Sequence, residues 1–324
     1  MLSVETIVGG GLLFAVGLAA LLLLRRRSGS GKRDTATGIP PKSTQYTDRF
    51  DSAELVRRLE VPLETLQNWM PRYQQVTIAK KNGQPRELLV PDDETRSLQR
   101  TILKRLLARL NAHPLACGFE EHTSIVDAAI PHVCRAVVVK IDVQDFFAST
   151  RADRVRLYLE QIGWDSESAR ILTSLTTTDG GLPMGAPTSP RLSNLVNAPL
   201  DEALLKLVKK YSGAYTRYAD DLTFSFDVDN GRQIRSFIRK VRLILDRHGY
   251  RMHTGKKLQI LRRHQQQRVL GLVVNHRVAL PRKTRRWLRA VRHRMQNGGR
   301  ATLSETQLAG WTAYEQMIER QREE

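Results

Sequence analysis

Cysteine is scarce in this chain, and its histidines are scattered. Only Cys117 and Cys134 occur among 324 residues, too few for the disulfide framework that supports small secreted domains. Neither they nor the eight histidines show the spacing of a zinc site. Both cysteines stand in apolar stretches, so we expect two buried thiols in a reducing compartment. No internal repeat is present, which excludes a repeat architecture.

Acidic residues are missing from one long segment near the C-terminus. Between Asp246 and Glu305 there is no Asp or Glu, whereas sixteen Lys and Arg residues fall there. The whole chain has 52 basic and 33 acidic residues, a net charge of +19. A solvated face usually mixes both signs, so this segment predicts a polyanionic partner, either nucleic acid or an anionic membrane surface. The candidate phosphate contacts in the segment are Arg262, Arg263, Arg282, Lys283, Arg285, Arg286 and Arg289.

Charge is also absent from an apolar run at the N-terminus. Residues 7–24 (IVGGGLLFAVGLAALLLL) carry none, and Arg25, Arg26 and Arg27 follow at once. Eighteen helical residues rise about 27 Å, close to the hydrocarbon thickness of a bilayer. A cleaved signal peptide, which has its positive charge before the apolar run, and a buried core helix are the alternatives. We expect residues 1–27 to be a single-pass anchor with the body on the cytoplasmic side, and residues 28–45 a flexible basic linker.

Three carboxylates stand at the ends of predicted strands. The β-branched run in residues 135–147 (RAVVVKIDVQDFF) predicts a central strand with Asp142 near its end. Residues 215–226 predict a hairpin with Asp220 and Asp221 at its turn. If the two strands are neighbours the acids converge, and each raises the pKa of the others unless a cation binds. Carboxylates of this kind favour Mg²⁺ or Mn²⁺, and two such ions stabilise both oxygens of a phosphoryl displacement.

The rest of the chain alternates helical and strand patterns. An Asn82-Gly83 pair predicts a hairpin turn, and residues 268–275 predict a further strand. Ser189 and Pro190 predict a helix N-cap and first turn, with a bend at Pro199. This order indicates an α+β fold with helices on one face of a sheet. Helices are predicted over residues 51–70, 95–110, 124–134, 154–163, 166–176, 189–210, 231–248 and 283–296.

The motifs around these acids resemble a known family. YADD in YTRYADDLTFS, with DVQDFF upstream and LPMGAPTSPRLSNL between them, is similar to the palm of reverse transcriptases. Over roughly residues 71–289 the resemblance continues in the same order through KKNGQPRELLVP, LQRTIL, GFEEHTSI, GYRMHTGKK and VLGLVVN. Within that superfamily the chain is most similar to bacterial retron-type enzymes, which lack a ribonuclease H domain and have a short thumb.

The resemblance implies a fold, an activity and partners. The fold would be a right-hand polymerase, with fingers and a ferredoxin-like palm over residues 46–258 and a basic thumb over 259–324, preceded by one transmembrane helix. The activity would be RNA-directed DNA synthesis from deoxynucleotides with two Mg²⁺ ions, for which Mn²⁺ could substitute. The partners would be an RNA template and primer, the RNA–DNA hybrid, a cognate noncoding RNA and, in antiphage defence, an effector protein. With the anchor, the location would be the bacterial inner membrane.

The resemblance also assigns roles to individual residues. The metal-binding triad would be Asp142, Asp220 and Asp221, assisted by the backbone carbonyl of Val143, and Lys256 would be a general acid near the leaving pyrophosphate. The residues expected around the incoming nucleotide are Lys80, Lys81 and Arg86 on the triphosphate, Phe147 as the gate against a ribose 2′-hydroxyl, and Met184 and Gly185 in the adjoining loop. Met184 stands where the family usually has Gln. Two elements linked to retron RNA appear in altered form, at residues 128–132 and 269–271.

Two alternatives to this reading remain open on the sequence. One is a different member of the same chemistry, a group II intron-related or untemplated polymerase. The other is a catalytically weak RNA-binding scaffold tethered to the membrane. The intact acidic triad and Phe147 argue against the scaffold, because a scaffold has no need of clustered carboxylates that repel one another.

Overall fold

The computed structural model describes residues 50–323 except 80–82, 84, 254–256 and 300. The predicted anchor, the linker and three predicted site residues, Lys80, Lys81 and Lys256, lie outside the described residues. Among the helices that are described, none is long and apolar enough to cross a membrane.

The first described elements are two short helices and a hairpin. α1 (Ser52–Leu59) begins after Asp51, whose side chain accepts a hydrogen bond from the Glu54 backbone N–H and so caps the helix. One helix was predicted over residues 51–70, but α1 ends at Glu60, which adopts a left-handed conformation, and α2 (Leu63–Asn68) follows. Strands β1 (Tyr73–Ala79) and β2 (Pro85–Pro91) then pair antiparallel.

A run of helices and one strand follows. These elements are α3 (Asp93–Ile102), which continues as a π-helical turn at Leu103–Leu107; α4 (Ile125–Ala129), which continues as a 3₁₀ turn at Ile130–His132; β3 (Val137–Gln144); α5 (Phe146–Ser149); α6 (Ala152–Gln161); and α7 (Ser166–Thr176). The predicted helix over 124–134 is therefore shorter, because the chain must turn at residues 133–136 to enter β3.

The predicted helix over residues 189–210 is two helices rather than one bent helix. α8 (Ser189–Val196) and α9 (Ala198–Lys209) are separated at Asn197. Pro199 has no N–H to donate and its ring clashes with the carbonyl four residues earlier, so the first helix cannot continue through it. Ser189 is the first helical residue and caps nothing; the residue before it, Thr188, makes no capping bond either.

The largest sheet is antiparallel and carries β3 at its centre. β4 (Gly213–Tyr218) pairs with β5 (Asp221–Phe226), and β5 pairs with β3. On its other side β3 pairs with β6 (Arg251–Met252) and β7 (Gln259–Arg262). The predicted thumb boundary at residue 259 therefore cuts through the sheet, because residues 259–262 form one of its strands.

Helices cover one face of this sheet. α10 (Gly231–Arg247) follows β5, and it packs with α9 against the alternate β3 residues Val137, Val139 and Ile141. The residues between them, including Asp142, lie on the opposite face because successive strand side chains point to opposite sides. The fold is mixed α and β, as the sequence predicts, but helices are not confined to one face, because Val138 on the opposite face of β3 shares a core with Val126 and Ala129 of α4.

The C-terminal segment forms a small hairpin and two helices. The single strand predicted over residues 268–275 is instead β8 (Arg268–Val269) and β9 (Leu272–Val273), joined by Leu270 and Gly271, both with positive φ. α11 (Arg282–Gln296) and α12 (Glu305–Gln321) follow. These helices share a third core with α4 and the hairpin.

One prediction about the cysteines is wrong. Cys117 is buried as expected, but Cys134 is exposed, and its thiol donates to the His276 carbonyl across 3.4 Å. Cys134 adopts a left-handed conformation (φ 61°) between the 3₁₀ turn and β3. That turn leaves its side chain at the surface although its neighbours in sequence are apolar.

Candidate active site

The three predicted acids meet at one end of the central sheet. Asp221 is paired in register with Asp142 on β3 and with Tyr218 on β4, so the three side chains stand abreast on one face. Asp220 lies in the two-residue turn between β4 and β5, and its carbonyl accepts the Val143 N–H across 3.0 Å. The predicted convergence of Asp142, Asp220 and Asp221 is therefore what the strand pairing produces.

The turn that carries Asp220 is held in an uncommon conformation. Ala219 has φ 53°, a left-handed value that costs an L-residue roughly 1–2 kcal/mol. Gly118 packs against this turn so closely that a Cβ there would lie 3.2 Å from the Ala219 nitrogen and 3.2 Å from Cγ of Tyr218. The preceding residue, Cys117, donates its N–H to the Arg217 carbonyl across 2.8 Å. Segment 115–118, which lies along the edge of β4, thus helps to fix the conformation of the turn.

The carboxylates are only partly compensated. Burial, then Asp221 and Asp142, raise the pKa of Asp220 to about 6. Burial also raises the pKa of Asp221, against the opposing effect of Lys140 and Lys257. Lys257 Nζ lies 2.8 Å from an Asp142 carboxylate oxygen. The sequence predicted a role for the adjacent Lys256; the lysine that reaches the acids among the described residues is Lys257.

The donor set suits a hard divalent cation. In the described part of the chain, no group of three or more His, Cys, Asp or Glu side chains is arranged as a complete metal site. Mg²⁺ does not need one, because it is commonly held by one or two carboxylates while water and substrate phosphates fill the other positions. Asp142 and Asp221, adjacent in register and short of positive charge, fit that mode of binding.

Aromatic rings border the carboxylates. Phe147 is half-buried, with its ring centroid 5.7 Å from that of Phe146 and 6.5 Å from that of Phe119. Phe119 in turn lies 5.7 Å from Tyr218. Phe119 is 43% exposed although it is large and apolar, and it has φ 63°, which is uncommon for a bulky residue. Sequence reasoning missed Phe119, because a single Phe after Gly118 gives no periodic signal.

The predicted nucleotide loop is anchored to the β1–β2 hairpin. The Leu89 N–H on β2 donates to the Met184 carbonyl across 2.8 Å. Gly185 has φ 131°, and a Cβ there would lie only 2.8 Å from the Leu89 carbonyl oxygen, so a larger residue would force the two segments apart. Arg86, three residues earlier on β2, is exposed and has no ion-pair partner within the described residues. The structure thus links Met184 and Gly185 to the strand that bears Arg86.

Comparison with known proteins agrees with this arrangement. Residues 78–274 match the family model described as reverse transcriptase (RNA-dependent DNA polymerase). The chain belongs to the reverse transcriptase family. That match spans β2, the acidic strands and the C-terminal hairpin, and it confirms the family expected from the motifs.

Retron reverse transcriptases are among its relatives. The chain is 32% identical to the retron Mx162 reverse transcriptase of Myxococcus xanthus, over 83% of this chain and 64% of that protein. It is 34% identical to the retron Mx65 enzyme of the same organism, over 76% of this chain and 61% of the relative. With the retron Ec86 reverse transcriptase of Escherichia coli it shares 31% identity over 75% of each chain. The match thus spans less than two thirds of both Myxococcus relatives.

Behind its acidic turn, this member of the family carries a buried ion pair that the sequence analysis missed. Arg217 and Asp201 are both fully buried, with Arg217 Nη2 2.6 Å and Nε 2.7 Å from the two carboxylate oxygens. Tyr215 donates to the same carboxylate, and Arg217 also donates to the carbonyl of Ala219 in the turn. A signal existed: residues 215, 217, 222 and 224 share one face by alternation, and Arg217 is the charged member of that apolar set.

The basic residues predicted to contact phosphates fall into two groups. Arg262 is half-buried and its Nε lies 2.8 Å from Asp229, so it is compensated within the fold. The others are exposed, and all but one lie on a single helix: Arg263 after β7, and Arg282, Lys283, Arg285, Arg286 and Arg289 on α11. The structure therefore gathers most of the predicted phosphate contacts on α11.

The altered retron-linked elements also have defined positions. His132 is fully buried, and its two ring nitrogens lie 2.7 Å from the Ser225 hydroxyl and 2.8 Å from the Thr216 hydroxyl. It thereby ties the turn after α4 to β4 and β5. Val269 is buried in the core beneath α11. Both elements support the fold through buried contacts.

Proposed function

We propose that this protein is a retron-type RNA-directed DNA polymerase that copies an RNA template into DNA from deoxynucleotides. The observation that carries the proposal is the group of undercompensated carboxylates at Asp142, Asp220 and Asp221, beside the half-buried ring of Phe147. Such a group is costly to bury in a protein that does not use it. Similarity to three retron reverse transcriptases supports the choice of template and product.

The residues of the site divide the chemistry among them. Asp142, Asp220 and Asp221, with the carbonyl of Val143, would hold two Mg²⁺ ions, or Mn²⁺ in their place, which when bound stabilise the attacking and leaving oxygens. Phe147 would exclude a ribose 2′-hydroxyl by its bulk. Lys257 limits the repulsion among the acids until substrate arrives, and Lys256 would face the leaving pyrophosphate.

The right-hand polymerase layout follows from this assignment. The β1–β2 hairpin with α1–α3 would be the fingers, since Leu89 positions the loop at Met184 and Arg86 extends from the same strand. With Lys80 and Lys81, Arg86 would bind the triphosphate. The sheet that bears the acids would be the palm. The segment from β8 onward, with α11, would be a short thumb that grips the RNA or the RNA–DNA hybrid through its phosphates.

Location and biological role are part of the same proposal. Residues 7–24 would anchor the chain in the bacterial inner membrane, because an uncharged run followed by three arginines orients its C-terminal side to the cytoplasm. The role would be antiphage defence, with a cognate noncoding RNA and an effector protein as partners. Protease added outside intact cells should leave the body uncut; its digestion would contradict this orientation.

The deciding experiment is deoxynucleotide incorporation on a primed RNA template. The wild-type chain should extend the primer only with Mg²⁺ or Mn²⁺, and Asp220→Ala with Asp221→Ala should lower the rate on the order of a thousandfold or more. Phe147→Ala should admit ribonucleotides while retaining synthesis. Equal inactivity of wild type and variant, with RNA binding retained, would favour a scaffold. Extension that ignores the template sequence would indicate an untemplated polymerase.

A further inference from the structure

The outer face of α10 carries four arginines in one stripe. Arg232, Arg235, Arg239 and Arg242 are all exposed, and their spacing of three, four and three residues places them on the same side of the helix. At 1.5 Å per residue the stripe is about 15 Å long. Like charges at these spacings repel and destabilise a helix. The stripe therefore needs a compensating partner.

Within the part of the chain that the structure describes, no acidic side chain compensates the stripe, whereas arginines on other helices are compensated. On α1, Arg57 and Arg58 both pair with Glu54, and on α6 Arg156 pairs with Glu160. None of the four stripe arginines forms an ion pair with any described residue.

The acids nearest to the stripe in sequence are engaged elsewhere or lie beyond it. Asp227 pairs with Arg135 and Asp229 with Arg262, although both precede α10 by only a few residues. Asp246 is the single acid on α10, and it follows the last arginine of the stripe. As far as the described residues show, the four arginines of the stripe therefore remain without a compensating negative charge.

The stripe lies behind the sheet, away from the carboxylates. The buried side of α10 (Ile234, Phe237 and Val241) packs in the same core as the β3 residues Val137 and Val139. Asp142 is on the opposite face of β3, so helix and sheet both stand between the arginines and the acids. Two such layers are together roughly 20 Å thick. A primer–template duplex held at the acids therefore does not reach the stripe.

The chemistry of the stripe fits an RNA backbone better than a membrane or a protein. The apolar side of α10 is committed to the core, so the helix has no apolar face to insert into a bilayer. Among the described residues, the large exposed apolar side chains close to the stripe in sequence are Val228 and Leu243, one beyond each end of it, whereas the centre of a protein interface is usually apolar and aromatic. Arginine pairs with phosphate in bidentate geometry, and about 15 Å matches roughly four successive phosphates of one strand.

We propose that the α10 stripe, Arg232, Arg235, Arg239 and Arg242, is a second RNA-binding surface, which holds a structured part of the RNA outside the segment being copied. The proposal rests on the proposed function for the identity of the polyanion as RNA. An RNA bound at both surfaces must pass around the edge of the sheet. The stripe therefore selects RNAs that carry a folded region beside the template.

The test compares two variants of the full chain with the same loss of charge. The stripe variant carries Arg232→Gln, Arg235→Gln, Arg239→Gln and Arg242→Gln, which keep good helix formers on α10. The control carries Arg100→Gln, Arg109→Gln, Arg170→Gln and Arg320→Gln, exposed arginines dispersed over the molecule. Helix content by circular dichroism should be the same in both variants.

Two RNA probes distinguish binding at the α10 stripe from binding at the acidic site. One is a primed single-stranded template, and the other is the same template joined to a stable stem of about 20 base pairs. We expect the stripe variant to bind the stem-bearing RNA at least about tenfold more weakly than the control, with a salt dependence less steep by about two to three contacts. Extension of the primed template without the stem should stay within about twofold of wild type.

Three results would overturn the proposal. Equal affinity and salt dependence of stripe variant and control on the stem-bearing RNA would show that the stripe does not bind RNA. Loss of extension on the stemless template would place the stripe on the duplex path. Unchanged RNA binding together with loss of an acidic copurifying protein would assign the stripe to that protein. Failure of wild type to synthesise DNA, with selective RNA binding retained, would overturn the proposed function alone.

Discussion

Two groups of charged residues at the β4–β5 hairpin lie on opposite faces of the sheet. One group is electrostatically compensated, and the other is not. On the face covered by α9 and α10, Arg217 and Asp201 are fully buried and satisfy each other, with Tyr215 and the Ala219 carbonyl completing the network. On the other face, Asp220, Asp221 and Asp142 share a site at which Lys257 is the one lysine in contact among the residues that the structure describes. The compensated group supports the turn, while the undercompensated group is available to bind a cation and substrate.

The difference shows how the protein can carry a strained, repulsive turn. Ala219 sits in a left-handed conformation between the two groups, and its carbonyl is bonded from the compensated side. Strain of this kind persists only where the surroundings determine the conformation. The buried ion pair is therefore a positioning element, and four perturbations of decreasing size test the comparison.

The largest effect is expected from breaking the buried pair. Arg217→Met leaves the Asp201 carboxylate buried without its partner, so we expect the free energy of unfolding to fall by about 3–5 kcal/mol. Arg217→Met with Asp201→Leu should recover part of that loss. Chemical denaturation measures both. Arg156→Met, which removes an exposed pair with Glu160, is the matched control and should cost less than about 1 kcal/mol. Equal losses for the two arginines would contradict the comparison.

On the acidic face, we expect a substitution to raise the free energy of unfolding rather than lower it. The pKa of Asp220 is raised to about 6 in the folded state, so its stabilising contribution is lost as pH rises from its ordinary value through 6. In metal-free buffer at about pH 8, Asp220→Asn should raise the free energy of unfolding by on the order of 2 kcal/mol. It should at the same time abolish incorporation. Asp153→Asn on α6 is the exposed control, and destabilisation by Asp220→Asn would refute the prediction.

A third test concerns the histidine that ties α4 to the hairpin. Burial, then Arg135, lower the pKa of His132 to about 3, so the folded protein holds it neutral while the unfolded chain takes up a proton below about pH 6.5. Stability should therefore fall by about 2 kcal/mol between pH 7 and pH 5 from this group alone. His132→Gln should lose that component of the pH dependence, measured by denaturation at both pH values. If the stability of His132→Gln depended on pH as that of the wild type does, this prediction would be wrong.

The smallest effect is expected at Lys257. Its pair with Asp142 is about half exposed on the lysine side, so Lys257→Met should change the free energy of unfolding by less than about 1 kcal/mol. Because the ammonium group competes with a metal ion for Asp142, the Mg²⁺ concentration for half-maximal incorporation should fall by about twofold. A magnesium titration of primer extension measures this. A loss of stability comparable to that of Arg217→Met would remove the distinction between the two faces.

Much of the site could be predicted from local pattern. β-branched alternation predicted β3 and the hairpin, and the positions of Asp142, Asp220 and Asp221 within those strands then determined which face they share. Element ends were less predictable: the breaks at Glu60 and Asn197 depend on a left-handed residue and on Pro199. The exposure of Cys134 was mispredicted, because a tight turn outweighs the apolar character of its neighbours.

The sequence by itself determined the family, the acids and the excess of arginine, since each is a matter of residue type and short spacing. Only the tertiary structure decided which charged side chains have an ion-pair partner. Lys257 reaches Asp142 across 115 residues of chain, and Arg135 reaches Asp227 across 92. Such pairings depend on how distant strands and helices return to one sheet, which no local spacing encodes. The same is true of the arginines on α10, whose lack of ion-pair partners within the described part of the chain becomes visible only once the acids near them in sequence are seen to be engaged elsewhere.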